Sequence, residues 1–382
     1  MKTTRTTIVI AMLALLAVVM IAPIAQAKSI APTPKPVRHV DLVICLDTSG
    51  SMRGLIESAK QKLWAVVNEL ATAKPKPVLR VALYHYGNDG LNSENGWVKR
   101  LCPLTSDLDL VYENLFKLKT NGGTELVARV MRSATTELKW NKSKGTLRMI
   151  FIAGNEPATQ DKVYKLRDTC KAAASAGIIV NTIHCGPEAR GRSTGWADAA
   201  AWADGQYAAI DHDRGTVVIS TPHDKKLAEL SAKVNTTYVS YGKKGKLSME
   251  RQSKQDANAS SLNPAAAAQR SSAKASGLYN NATWDLVDAS KAKDFDVTKV
   301  KTEDLPEPMR KMTDDQKKAY IADQAAKRVE IQKEIQDLSK KRDAYVKAEM
   351  AKKGLDEKAS FDAALRKMVR TQAEKQNFKF EK

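Results

Sequence analysis

The chain is poor in the residues that most often reveal a chemistry. Its four cysteines stand apart with no Cys-x-x-Cys pair, which excludes the usual zinc and dithiol redox spacings. Its five histidines are scattered and no Gly-x-Ser-x-Gly turn accompanies them, so no nucleophile, base and orienter assemble into a hydrolase site. Aromatic residues make up only 6% of a chain that, at 382 residues, is too long for one minimal domain. Acidic residues are outnumbered, 43 against 62 basic, and the net charge of +19 attracts anionic surfaces such as envelope polymer, phospholipid or nucleic acid. The two signs are interleaved along the sequence, so most of this charge reads as solvated surface.

What is present begins with Lys2 and Arg5, an apolar run over 8–24, and Ala25-Gln26-Ala27. This reads as a cleaved secretory signal peptide over 1–27, the run being short for a membrane span of about 20 residues. No cysteine follows the small-x-small signal, which argues against a lipoprotein. The mature protein is expected from Lys28, in the periplasm, at the cell surface or secreted, and export makes nucleic acid the least expected partner. Three prolines within 31–37 make 28–37 an extended leader.

From residue 40 strands and helices alternate. The run 40–46 is almost continuously apolar, as in a central strand covered on both faces. Leu55, Ala59, Leu63, Val66, Val67 and Leu70 follow at helical spacing, and Pro75 and Pro77 end that helix. Strands are expected at 78–86, 97–101, 147–153, 178–184 and 216–220. Helices are expected from an N-cap at Ser106, and over 125–138, 161–174, 196–203 and 224–234. Such alternation argues for a mostly parallel, doubly wound α/β sheet with helices on both faces, here over 38–242. Cys45 and Cys185 fall in buried strands, which makes the cysteines core residues with at most one disulfide. His184 ends a strand, and His212 within Asp211-His212-Asp213 reads as a turn with solvated charges.

At the end of the first strand stands Asp47-Thr48-Ser49-Gly50-Ser51. A carboxylate and two hydroxyls at alternate positions on a glycine turn can converge their oxygens on one point, as hard divalent cations require. With Gly122-Gly123-Thr124 ahead of a later helix, this stretch resembles the metal-ion-dependent adhesion site of von Willebrand factor A (VWA) domains. The resemblance covers roughly 38–242, and the whole chain resembles secreted bacterial VWA-domain proteins of unassigned function. It implies a Rossmann-like fold and a divalent cation, Mg²⁺ first with Mn²⁺ or Ca²⁺ as alternatives. Its ligands would be Asp47, Ser49, Ser51, Thr124 and Asn155, and a carboxylate of a protein partner would complete the shell.

The family pattern fails in one place. Where VWA domains end the fourth strand with Thr-Asp-Gly, this chain has Ala153-Gly154-Asn155-Glu156-Pro157, with Gly154 at the aspartate position. Either Asn155 or Glu156 substitutes, or water fills the place and affinity falls by about 10- to 100-fold.

After Gly242 the composition shifts. Residues 243–277 read as a polar linker, partly helical or flexible, and 278–382 as a mainly helical extension in which Trp284 anchors the tail. Ile331, Ile335, Leu338, Arg342 and Tyr345 alternate four- and three-residue steps, as in a short coiled-coil seam. A hairpin using Phe361, Leu365 and Val369, or a helix lying on the VWA domain, explains the pattern as well. The sequence thus points to a non-enzymatic, exported binding module holding a cation. An envelope scaffold whose tail oligomerises or binds anionic polymer is the second reading.

Overall fold

A computed structural model of the chain describes residues 38–210, 218–354 and 361–380. The signal peptide and leader expected over 1–37, and His212, lie outside them.

Strand β1 (His39–Asp47) is the centre of the sheet, hydrogen-bonded on one side to β3 (Val78–Tyr86) and on the other to β5 (Leu147–Gly154). Strand β2 (Ala73–Lys74) lies outside this sheet, while β4 (Val98–Thr105) pairs antiparallel with β3 at one edge. Beyond β5 come β6 (Ile179–Cys185) and β7 (Tyr207–Ile210), both parallel, giving the order β4-β3-β1-β5-β6-β7.

Because side chains alternate along a strand, β1 feeds two cores. Leu42, Ile44 and Leu46 enter one, Val43 and Cys45 the other. The first core lies under α1 (Arg53–Ala71) and α2 (Leu108–Phe116), the second under α3 (Val127–Glu137) and α4 (Leu166–Ser175). Next come α5 (Glu188–Ser193), α6 (Trp196–Trp202) and α7 (Asp224–Asn235); Trp196 is fully buried in the second core, Leu227 and Leu230 in the first. The doubly wound, mostly parallel fold expected from the sequence is what forms.

Several boundaries differ for local reasons. Asp107, not Ser106, caps α2, its carboxylate accepting the Leu110 N–H at 2.9 Å. Asp161 does not open α4; it accepts the N–H groups of Val163 and Tyr164 and pairs with Arg129 at 3.1 Å, which holds a turn before the helix. The last strand of this sheet is β7 rather than 216–220. It follows a tight turn at Gly205, where a Cβ would run into the Val180 carbonyl, and 218–220 is not extended into a strand; 216–217 lie outside the described residues.

The largest difference follows Gly242. Residues 243–277 are not a loose linker but contain α8 (Gly245–Leu262) and α9 (Pro264–Lys274), packed on α1, α2 and α7. Asn263 caps α9 by accepting the Ala266 N–H at 2.8 Å, with Pro264 at the first helical position. Alanines 265–268 are all buried, and such small side chains let the helix sit close to its neighbours. The charges that look solvated in sequence are buried and paired: Arg270 bonds Asp109 at 2.7 Å and Asp256 at 2.5 Å, and Lys274 bonds Asp256 at 2.9 Å.

After α10 (Leu286–Ala289) runs the 39-residue α11 (Asp314–Lys352), opened by a capping box between Thr313 and Gln316. Its Ile331 and Ile335 are buried in the first core, and Arg342 pairs with Asp224 at 2.8 Å. The seam therefore meets α7 and α9 of the same chain, as a helix lying on the α/β domain. Trp284 stacks on Tyr238 at 5.6 Å, as a packing anchor does. Helix α12 (Phe361–Lys375) places Leu365, Met368 and Val369 in the first core beside Ile44, and β8 (Lys379–Phe380) pairs antiparallel with β2. All four cysteines are buried and unbridged. Among the described residues no helix is long and apolar enough to cross a membrane.

Candidate functional site

At the carboxyl end of β1 the chain leaves the sheet through Asp47, Thr48 and Ser49, all buried, while Gly50 and Ser51 are exposed. This is the end at which open α/β sheets bind ligands. Thr48 is a structural member of the loop: its N–H and hydroxyl both donate to the Tyr86 carbonyl, at 2.9 and 3.1 Å. Alternation then turns Asp47 and Ser49 away from it, toward the site. Ser49 N–H donates to Asp47 Oδ1 at 2.8 Å, and the Ser49 and Ser51 hydroxyls lie 3.4 Å apart.

The Gly-Gly-Thr loop is laid against this turn. Gly50 N–H donates to Gly122 O at 2.6 Å, and Asn121 N–H donates to Thr48 O at 3.0 Å. Asn88, unnoticed in the sequence, ties the assembly together by donating from Nδ2 to Thr48 O at 3.1 Å and Lys119 O at 2.9 Å. Because 121–126 serve this loop, α3 starts at Val127 rather than at residue 125. Thr124 is half-buried and precedes the buried Glu125.

From the third loop Asn155 Nδ2 donates to Ser51 Oγ at 3.1 Å. Glu156 instead pairs with Arg190 at 3.4 Å, and its carbonyl accepts the Trp196 indole N–H at 2.8 Å. Of the two residues that could replace the missing aspartate, Asn155 faces the hydroxyls and Glu156 faces Arg190.

Two buried oxygens at this place have no hydrogen-bond partner: Asp47 Oδ2 and Asn155 Oδ1. A buried acceptor left unpaired costs about 1–3 kcal/mol, and more when it is charged. Burial pushes the Asp47 carboxyl up to about 7 against the pull of Ser49 and of the Asn155 backbone N–H, and the nearby Glu125 charge adds to the rise. Burial raises Glu125 as well, with Glu156 and Asp89 repelling its charge. In a chain of net charge +19, this end of the sheet is a local concentration of negative charge. Among the described residues no three His, Cys, Asp or Glu side chains form a metal-holding group. The donors are instead of the mixed carboxylate, hydroxyl and amide kind that Mg²⁺ and Ca²⁺ accept. Unpartnered carboxylate and amide oxygens on the loops that carry Ser49, Ser51 and Asn155 fit such an ion.

Glu125 is a candidate that the sequence alone does not single out, because the helical spacing makes it the first residue of a helix. His184 is fully buried against Trp196, with ring centres 5.8 Å apart, and takes no part in the site.

No curated protein matches the chain. Solved structures similar to it include the SpRpn10 VWA domain, with 17% identity over 48% of this chain and 100% of that one, at a TM-score of 0.36. Proximal thread matrix protein 1 from the mussel byssus, with a zinc-occupied MIDAS motif, shares 11% identity over 47% of this chain and 43% of that one, at 0.36. The pilus adhesin SpaC from Lactobacillus rhamnosus GG shares 13% over 47% and 29%, at 0.35. The chain thus spans less than half the length of the latter two. Residues 41–195 match the family model of the von Willebrand factor type A domain, and the sheet that carries the Asp47 loop is a VWA fold.

Proposed function

We propose that the protein is an exported, non-enzymatic binding module that holds a divalent cation, Mg²⁺ first, between Asp47, Ser49, Ser51, Thr124 and Asn155 and takes an acidic group of a protein partner. The observation that carries this reading is Asp47 Oδ2, a fully buried carboxylate oxygen with no hydrogen-bond partner, on the loop that also carries the Ser49 and Ser51 hydroxyls. Asp47 supplies charge from the floor, fixed by the Ser49 N–H on its other oxygen. Ser49 and Ser51 supply neutral oxygens, and Asn155 holds Ser51 in place from across the site. When bound, the cation would offer an open coordination position to an incoming carboxylate oxygen. Gly122, Gly123 and Ser51 are exposed, which leaves the rim open to a protein surface.

Calorimetric titration with Mg²⁺ and Mn²⁺, and capture of partners from envelope extract with and without EDTA, test the reading. Heat of binding that Asp47→Ala removes, together with EDTA-sensitive capture, is expected. No heat and no thermal shift with either ion, with Asp47→Ala leaving capture unchanged, would overturn it.

A further inference from the structure

Position 154 cannot carry the second acidic group of the site. A Cβ there would lie 2.5 Å from Tyr86 Oη and 2.9 Å from Asp47 Oδ2, so the space an aspartate would need is already filled. Tyr86 is held in it by full burial and by donating to Ala153 O at 3.1 Å.

A carboxylate approaches from the opposite side. Glu125 is 8% exposed, and its side chain passes over Gly87 and Gly123. A Cβ on Gly87 would lie 2.9 Å from both Asp47 Oδ1 and Glu125 Cγ, so those two atoms are within twice that distance of each other. A Cβ on Gly123 would overlap Glu125 Oε1 while standing 2.8 Å from Ser49 Cβ, so the carboxylate end lies over Ser49. Two acids placed this close repel and are not a stabilising device in themselves. The other oxygen of the same Asp47 carboxylate, Oδ2 on the side toward position 154, is fully buried and unpartnered, and a repelling acidic pair with an unpartnered oxygen points to a positive ligand.

We propose that Glu125 supplies the second carboxylate of the cation site, in place of the acidic residue that position 154 lacks. The inference rests on the cation reading above and adds a residue to it. The chain's departure at Gly154 is then a relocation of negative charge from the end of β5 to the Gly-Gly-Thr loop. Asp47 and Glu125 together balance a divalent ion, with Ser49 between them.

The test is Mn²⁺ titration of the full chain followed by the electron paramagnetic resonance signal of free Mn²⁺, comparing the wild type with Glu125→Gln and Glu125→Asp. Glu125→Gln keeps the shape and removes a repulsion, so its cooperative unfolding in EDTA is expected to persist. Its Mn²⁺ affinity is expected to fall by about 10- to 100-fold. Glu125→Asp, which draws the carboxylate back by one methylene, is expected to lose at least about fivefold. Wild-type binding with both variants within about twofold of it would overturn the role of Glu125 and leave the cation reading standing. Absence of wild-type Mn²⁺ binding would overturn both.

Discussion

Gly154 and the Tyr86 hydroxyl compete for one space: a Cβ on residue 154 would stand 2.5 Å from Tyr86 Oη. Gly154→Ala is therefore expected to destabilise the protein by about 1–3 kcal/mol, the usual range for overpacking. Tyr86→Phe, which removes that oxygen, is expected to recover part of the loss in the double variant. Urea denaturation of the four forms gives the coupling, and strict additivity would show that the two side chains do not share the space.

Asp47 carries a cost to stability. Its Oδ2 is buried without a partner, so Asp47→Asn, which keeps the shape and removes the charge, is expected to stabilise the metal-free protein by about 1–2 kcal/mol while abolishing cation binding. Thermal unfolding in EDTA at pH 8 checks this, and a lower midpoint for the variant would contradict it.

Arg328 locks α11 to the segment before it. Its guanidinium bonds Asp285 at 2.6 Å and Asp288 at 3.1 Å, and lies 3.9 Å from the Tyr238 ring centre, with all three charged groups buried. Breaking such a cluster from one side leaves buried charge uncompensated, so Arg328→Met is expected to cost about 3–5 kcal/mol. Adding Asp285→Asn to it is expected to cost less than the sum of the two single changes. Equal costs for Arg328→Met and an exposed lysine of α11, such as Lys340→Met, would show that the cluster does not hold the helix.

Asp256 gives the fold an acid limit. Burial works to raise its pKa, but the charges of Arg270 and Lys274 outweigh burial and bring it down from 3.8 to about 2. A folded pKa below the unfolded one means stabilisation that is present above about pH 4 and is lost as the pH falls toward 2. The expected loss is about 2 kcal/mol, from the size of the shift. Urea midpoints across that window, for the wild type and Asp256→Asn, should differ in slope; parallel curves would remove Asp256 from the account.

How legible these features were in sequence follows from where each side chain finds its partner. Strands β1 and β3 were readable because both faces are buried, which makes the run itself continuously apolar over Val43, Ile44 and Cys45. The loop Asp47 to Ser51 was readable because its donors sit within five residues of one another. Helices α8 and α9 were not, because Arg270 and Lys274 look like solvent-facing charges until Asp109 and Asp256 are brought beside them. Glu125 was obscured in the same way, since what makes it notable is its proximity to Asp47 across the fold. In sequence Asn155 and Glu156 stand as alternatives, because only their partners in the fold, Ser51 and Arg190, separate them.

Helix α12 carries a consequence for the order in which this protein is made. Leu365 and Val369 complete the core that Ile44 and Leu46 begin, Gln372 pairs with Asn181 across 191 residues, and Arg38 donates to the Gln376 carbonyl across 338. Loops of that length must close before the contacts that reward them exist, which slows folding and leaves apolar surface open in the meantime. A nascent chain on which residues 361–375 have not yet been synthesised holds an unfilled socket on the β1 face.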